Sequence, residues 1–196
     1  KKMVKEKMRD GYRETVEKVI EKLGQADFWN LIERAKANSE DVESQVELLT
    51  EYLSQRTVED IFEFKRIIDQ LFAKSYLTNL WGAAFLMNAG CSDDGFDYFR
   101  GWLIAKGREV FQSALENPDN LAKYVSEDDY NFGEYESEEM MNVAANAFIA
   151  KTGGTLDDFY DSIPKNPRPE IEHDWDFEDD DELKKRYPKL YKKFGG

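Results

Sequence analysis

The stretch TVEDIFEFKRIIDQLFAKSY, residues 57–76, decides the fold class. Its apolar residues Ile61, Phe64, Ile68, Leu71, Phe72 and Tyr76 recur every three or four positions, the spacing of one helical face. Thr57 is a capping residue, and Asp60, three positions on, is a weaker analogue of the capping-box Glu. The pattern predicts a helix that opens after Thr57 and turns a broad stripe to a core. Leu80 to Ala89 is almost wholly apolar, and as a helix it would be buried on every side.

The same period extends in both directions. Asp27 is placed to cap a helix whose inner face is Phe28, Trp29, Leu31, Ile32 and Ala35. Asn38 or Ser39 is placed to cap the next, with Val42, Val46, Leu49 and Leu53 on one face. Gly90 suits a left-handed end to the apolar helix. Ser92 or Asp93 then starts another, expected to run to about Glu116, followed by a cap and first-turn proline at Asn117-Pro118. Tyr135 to Lys151 reads as a further helix stopped by Gly153-Gly154, and Thr155 caps a short one. No alternating pattern exceeds four residues. The expected fold is all-α, a single compact multi-helix domain.

Three regions are expected. Residues 1–24 form a helical arm, with Val4, Met8, Tyr12, Val16, Val19 and Leu23 at helical spacing, eight Lys/Arg against five Asp/Glu, and Gly24 as its stop. Residues 25–162 form the helical core. Residues 163–196 form a linker with Pro164, Pro167 and Pro169, then a tail that packs on the core. In that tail Glu170 to Glu182 is acidic and carries Trp175 and Phe177. Lys184, Lys185, Arg186, Lys189, Lys192 and Lys193 then reverse the charge and are expected to face the acidic body. Trp175, Phe177, Tyr187, Leu190, Tyr191 and Phe194 are too many large apolar groups for a solvated tail.

Composition excludes several function classes. The 196 residues carry 27 basic and 41 acidic side chains, a net charge of −14, which repels phosphate backbones and anionic lipid. Direct non-specific nucleic-acid binding is therefore not expected. No apolar run approaches the ~20 residues of a membrane span, and no signal-peptide core follows the charged first ten residues. A cytoplasmic location and no membrane partner are the expectation. One cysteine, Cys91, excludes an intramolecular disulfide and a cysteine-rich zinc site. One histidine, His173, excludes a two-histidine metal motif. No phosphate-binding glycine loop is present. Asp174, Asp176, Glu178 and Asp180 alternate like a calcium loop but lack its central Gly, and Lys185 stands where the closing Glu belongs.

The densest segment runs Leu80-Trp81-Gly82-Ala83-Ala84, Asn88-Ala89-Gly90-Cys91-Ser92-Asp93-Asp94-Gly95-Phe96 and Tyr98-Phe99-Arg100-Gly101-Trp102-Leu103-Ile104-Ala105-Lys106-Gly107. It resembles the signature of a bacterial family, domain of unknown function 4240 (DUF4240). Similar positions lie in Asp27-Phe28-Trp29, Glu138-Glu139-Met140 and Arg186-Tyr187-Pro188-Lys189-Leu190, so the resemblance spans roughly residues 26–195. Some relatives join this domain to a WGR domain and carry labels that hint at regulation of molybdenum metabolism. The resemblance implies no activity, cofactor or catalytic residue.

The candidate site residues are Asp93, Asp94, Arg100 and Glu139. Arg100 lies seven positions after Asp93, on the same helical face, and is suited to an anion or to a buried carboxylate. Glu136, Glu138 and Glu139 make a second acidic cluster that, with Asp93 or Asp94, has the oxygens for a hard cation. The bland readings are helix capping and acidic first turns favoured by the helix dipole. Gly101 and Gly107 each cost ~1 kcal/mol inside a helix relative to Ala, which points to close approach of a neighbouring helix or a ligand. Cys91 lacks a base: His173 is distant in sequence, and acidic neighbours raise a thiol's pKa. With no nucleophile–base pair and no cofactor fingerprint, the expectation is a non-catalytic binding or regulatory domain with a protein partner. The rival is a carboxylate enzyme, with or without a divalent metal, acting on a small molecule or nucleotide. No metal or cofactor is assigned, and no feature names a small-molecule ligand.

Overall fold

Helix α1 (Gln25–Ala37) shows how local chemistry sets the boundaries. The computed structural model describes residues 23–126, 134–165, 167 and 170–195, so the arm expected over 1–24 lies outside it except for Leu23 and Gly24. Gly24, expected to stop that arm, is the N-cap of α1. Its N–H donates to Asp27 Oδ2 at 3.3 Å, so Asp27 serves the cap from inside the first turn. Helix α2 (Val42–Ser54) is capped by Asp41, whose Oδ1 accepts from Ser44 N at 2.8 Å. Asn38 and Ser39 close the preceding helix instead: Asn38 Nδ2 donates to Arg34 O at 2.7 Å and Ser39 Oγ to Lys36 O at 3.2 Å. Helix α3 (Val58–Lys74) opens as expected, with Thr57 Oγ1 accepting from Asp60 N at 3.1 Å. The Asp60 carboxylate accepts from Leu23 N at 3.1 Å and so ties the start of α1 to α3.

Helix α4 (Thr78–Met87) is buried on nearly every side. It ends on Ala89, which takes the left-handed φ of 55°, while Gly90 follows at 126° and donates to Phe85 O at 2.8 Å. Gly90 thus has the positive φ expected of it, and the turn begins one residue earlier, at Ala89. Helix α5 (Asp93–Ala105) is capped by Ser92, which accepts from Gly95 N at 3.1 Å. The helix expected to continue to Glu116 is two helices. Gly107, at φ 98°, turns the chain into α6 (Arg108–Glu116). A Cβ at Gly107 would meet only the tip of the exposed Glu33 side chain, which can swing aside, so the break needs glycine for its φ.

A 3-10 helix (Pro118–Lys123) follows, and Asp119 N donates to Asn117 Oδ1 at 3.1 Å to cap it. Helix α7 (Glu139–Thr152) starts four residues after Tyr135, because Ser137 N donates sideways to Tyr98 O at 2.9 Å. Gly153, at φ 70°, ends it, and Thr155 caps α8 (Leu156–Asp161). The tail supplies α9 (Asp180–Arg186) and α10 (Pro188–Phe194). Among the described residues the protein is all-α, with no strand and no helix long and apolar enough to cross a membrane.

The two inner helices are α5 and α7. Helix α7 packs on α2, α3, α5 and α8, and its small residues Ala144, Ala145 and Ala147 let them approach. Gly101 is the tightest point: a Cβ there would lie 2.3 Å from Ser137 O. That oxygen is backbone and has nowhere to move. Gly101→Ala should therefore cost about 1–3 kcal/mol, read as a lower denaturant midpoint at unchanged slope. An unshifted midpoint would show that the 135–138 turn gives way freely.

The tail seats Leu183, Tyr187, Leu190 and Phe194 in the core. Tyr187 Oη donates to Asn79 O at 2.7 Å. Asp119, itself buried, accepts from Lys189 N and Leu190 N, both at 2.9 Å, and so caps α10 from a residue 71 positions upstream. Gly82 makes room for the half-buried Trp175, which lies against Tyr187. The basic residues after Glu182, expected to face the acidic body, are partly satisfied elsewhere. Lys185 and Arg186 pair with Glu182 on their own helix, and Lys193 Nζ donates to Val125 O at 2.8 Å.

Candidate functional site

Arg100 is the one predicted site residue that lines a cavity. It sits two turns into α5, 3% exposed, among Phe96, Phe99, Trp102 and Leu103, so its charge must be met inside the protein. Nη2 donates to Asp97 Oδ1, one turn back on the same helix. Nε donates to Phe96 O at 3.2 Å and Nη1 to Phe72 O at 2.6 Å. Phe72 lies in the last turn of α3, whose final carbonyls lack helical partners. Arg100 therefore caps α3 from a neighbouring helix, with its charge at the negative end of that helix dipole. The guanidinium carbon lies 5.0, 4.8 and 4.7 Å from the ring centres of Phe72, Tyr76 and Phe96.

The cavity above this pair has a volume of about 550 Å³. Its walls are α3 (Lys65, Ile68, Asp69, Phe72, Ala73), α7 (Met141, Asn142) and α8 (Tyr160), and residues 163–165 and 167 of the proline linker roof it. Lys65 Nζ and Asp69 Oδ1 form a second ion pair within it, at 2.5 Å. A further groove of about 720 Å³ continues along α3 past Phe62, Glu59, Glu63 and Arg66, sharing Lys65, Asp69, Ala73 and the linker with the first. Arg66 there bonds Glu63.

The other candidates do not enter this cavity. Asp93 and Asp94 are exposed in the first turn of α5, and Glu139 is exposed in the first turn of α7. Asp93 and Glu136 instead surround Cys91. Glu136 Oε1 lies 3.5 Å, and Cys91 Sγ 3.8 Å, from the point where Gly95 would carry a Cβ. Burial raises the Glu136 pKa above the usual carboxylate range. Burial first, and then Glu136, push the Cys91 thiol up to about 12, against a smaller opposing pull from Arg100. Among the described residues no group of His, Cys, Asp and Glu is arranged to hold a metal ion. His173 lies edge-on to Trp81 and packs on Phe177.

Cys91 should accordingly be a poor nucleophile. At a pH below both values, raising the pKa from 9.0 to about 12 leaves a thousandfold less thiolate, partly offset by the greater nucleophilicity of a more basic one. Alkylation by iodoacetamide should be on the order of fifty-fold slower than for a small-molecule thiol of ordinary pKa. Equal rates would show that the thiol is not held in this acidic, desolvated corner.

The residues the sequence reading missed are Lys65, Asp69, Asp97, Tyr76, Asn142 and Tyr160. Two signals were present. Asp97 and Arg100 are charges three apart inside an apolar stripe, and Lys65 and Asp69 are opposite charges four apart on one helix.

Comparison with curated proteins finds no match, and comparison with solved structures finds none. A family model matches residues 23–150, from the Leu23 anchor through α7. The match contains Arg100, Asp97, Lys65 and Asp69 and stops before α8, the linker and the tail, short of the 195 to which the resemblance was traced. The chain belongs to DUF4240, a family of proteins of unknown function.

Proposed function

We propose that this chain is a non-catalytic binding domain, regulatory in role, and that its ligand occupies the cavity between α3, α5, α7 and the proline linker. One observation carries the reading: of Asp93, Asp94, Arg100 and Glu139 only Arg100 lines the cavity, and both carboxylates there, Asp69 and Asp97, are engaged by cations. Asp93, Asp94 and Glu139 do not join these two, so the cavity lacks the convergent carboxylates that a carboxylate enzyme or a hard-cation site needs. A volume of about 550 Å³ falls in the range that holds small molecules. Because its roof is the linker that joins core to tail, an occupant would bear on how the two are held together.

Ala73 lines both cavities and is exposed, so Ala73→Trp fills the site without entering the core. A thermal-shift screen of small carboxylates, phosphates and aromatic compounds tests the reading. Ligands should raise the melting temperature of the parent protein and not of Ala73→Trp. They should be recovered unchanged, and Asp93→Asn, Asp94→Asn and Glu139→Gln should keep the shift. Consumption of a compound with time, lost in those three variants, would replace this reading with the carboxylate enzyme.

A further inference from the structure

We infer that the cavity selects a small anion with an aromatic or apolar body, its charged group held between Lys65 and Lys165. The inference rests on the binding-domain reading and adds the ligand's chemistry. Three cations line the cavity, Lys65, Arg100 and Lys165, against two carboxylates, Asp69 and Asp97. A local cationic excess is unusual in a chain of net charge −14 and draws an anion to this spot.

The cations are not equivalent. Arg100 is anchored by three hydrogen bonds and boxed by three rings, so it cannot leave Asp97 for a ligand, and it contributes only its field. Lys65 is joined to Asp69 by an i,i+4 pair with side chains 18% and 27% exposed. Such pairs are weak, and a lysine stem swings readily, so Lys65 is the cation able to change partners. Lys165, on the linker, is exposed at the rim. The walls meet the rest of the ligand: Phe72 and Tyr76 offer ring faces, Ile68 and Met141 apolar contact, and Asn142 and Tyr160 neutral hydrogen bonds.

Orientation follows from the adjoining groove. It adds Glu59 and Glu63 against Arg66 alone, and Arg66 already bonds Glu63. The cationic excess therefore stops at the first cavity. The anionic group lies there, and the apolar end extends toward Phe62, Ile163 and Pro164.

Two dyes of nearly the same shape test this. Anilinonaphthalene sulfonate is an aromatic anion; phenylnaphthylamine is its ring system without the sulfonate. The natively folded protein should bind the anion saturably and more tightly than the neutral dye. Lys65→Gln and Lys165→Gln should each weaken the anion about tenfold, the scale of a lost charge-assisted hydrogen bond, and leave the neutral dye unchanged. Ala73→Trp should abolish both. Equal binding of the two dyes, insensitive to both lysines and lost in Ala73→Trp, overturns the anion inference and leaves the binding-domain reading intact. Binding of both dyes unaltered by Ala73→Trp, or no binding of either, overturns both. Melting curves check that each variant is folded.

Discussion

Deleting residues 170–196 should collapse the melting temperature or abolish cooperative unfolding altogether. Leu183, Tyr187, Leu190 and Phe194 are all under 10% exposed, and each contributes roughly 1.5–3 kcal/mol by burial. Together they rival the whole stability of an ordinary domain, about 5–15 kcal/mol. The deletion also uncovers the faces of α4 and the 3-10 helix against which α10 packs. It leaves the buried Asp119 carboxylate without the two N–H groups it accepts from. The measurement is a thermal melt followed by near-ultraviolet circular dichroism. An unchanged melting temperature, with fast amide exchange at Trp175 in the full chain, would show that the tail does not dock.

A gentler variant separates tail from core. Gly82→Ala would place a Cβ 2.5 Å from both the Trp175 ring and Tyr187 Oη, so it should speed amide exchange in the tail while the core helices stay protected. Alkali should act in the same direction. Burial raises the Tyr187 pKa above its ordinary 10.0, so the unfolded chain loses this proton first. Its stabilising contribution is complete below pH 10 and falls as pH rises through the folded-state value.

Arg100→Met should cost about 3–5 kcal/mol, because it strands the Asp97 carboxylate, 5% exposed, without its guanidinium. It also leaves the Phe72 carbonyl at the end of α3 with only the longer bond from Ser75 Oγ, at 3.3 Å. Adding Asp97→Leu should recover a good part of the loss, since an apolar pair tolerates a dry site better than a lone charge does. Arg100→Lys should fall short of the parent, because one ammonium cannot satisfy Phe96 O, Phe72 O and Asp97 with a planar fork's geometry. A denaturant double-mutant cycle over positions 97 and 100 decides it. A cost below about 1 kcal/mol for Arg100→Met would mean that the site is open to water.

The strongly periodic helices were legible, and α3 was read correctly to its Thr57 cap. Its stripe decides itself by local spacing. Boundaries between helices were harder because several residues are chemically able to cap at each. Asn38, Ser39 and Asp41 are all good capping types, and the reciprocal Asp41–Ser44 capping box, a local signal the reading passed over, selects Asp41. Gly101 and Gly107 looked alike, yet one is a contact inside α5 and the other a turn. The difference lies in the Ser137 backbone, which approaches Gly101 from a remote part of the chain, and in the positive φ of Gly107. The same holds for the site. Arg100 was legible as a cation two turns after Asp93 on one helical face, suited to a buried carboxylate, although that carboxylate is Asp97 on its own helix. The cavity was not, since its walls come from α3, α7, α8 and the linker, and no local period records that they meet.

The Asp119 cap on α10 also constrains the order in which the molecule can be assembled. Its carboxylate waits for amides made 71 positions later. At ribosomal rates of about 5–20 residues per second, that interval is roughly 4–14 seconds. Throughout it, the apolar surface later covered by Leu190 and Phe194 has no native cover. During synthesis the nascent chain therefore passes through a sticky stage. The net charge of −14 on the whole chain, whose like charges repel other copies, opposes aggregation once the chain is released and before α10 has docked.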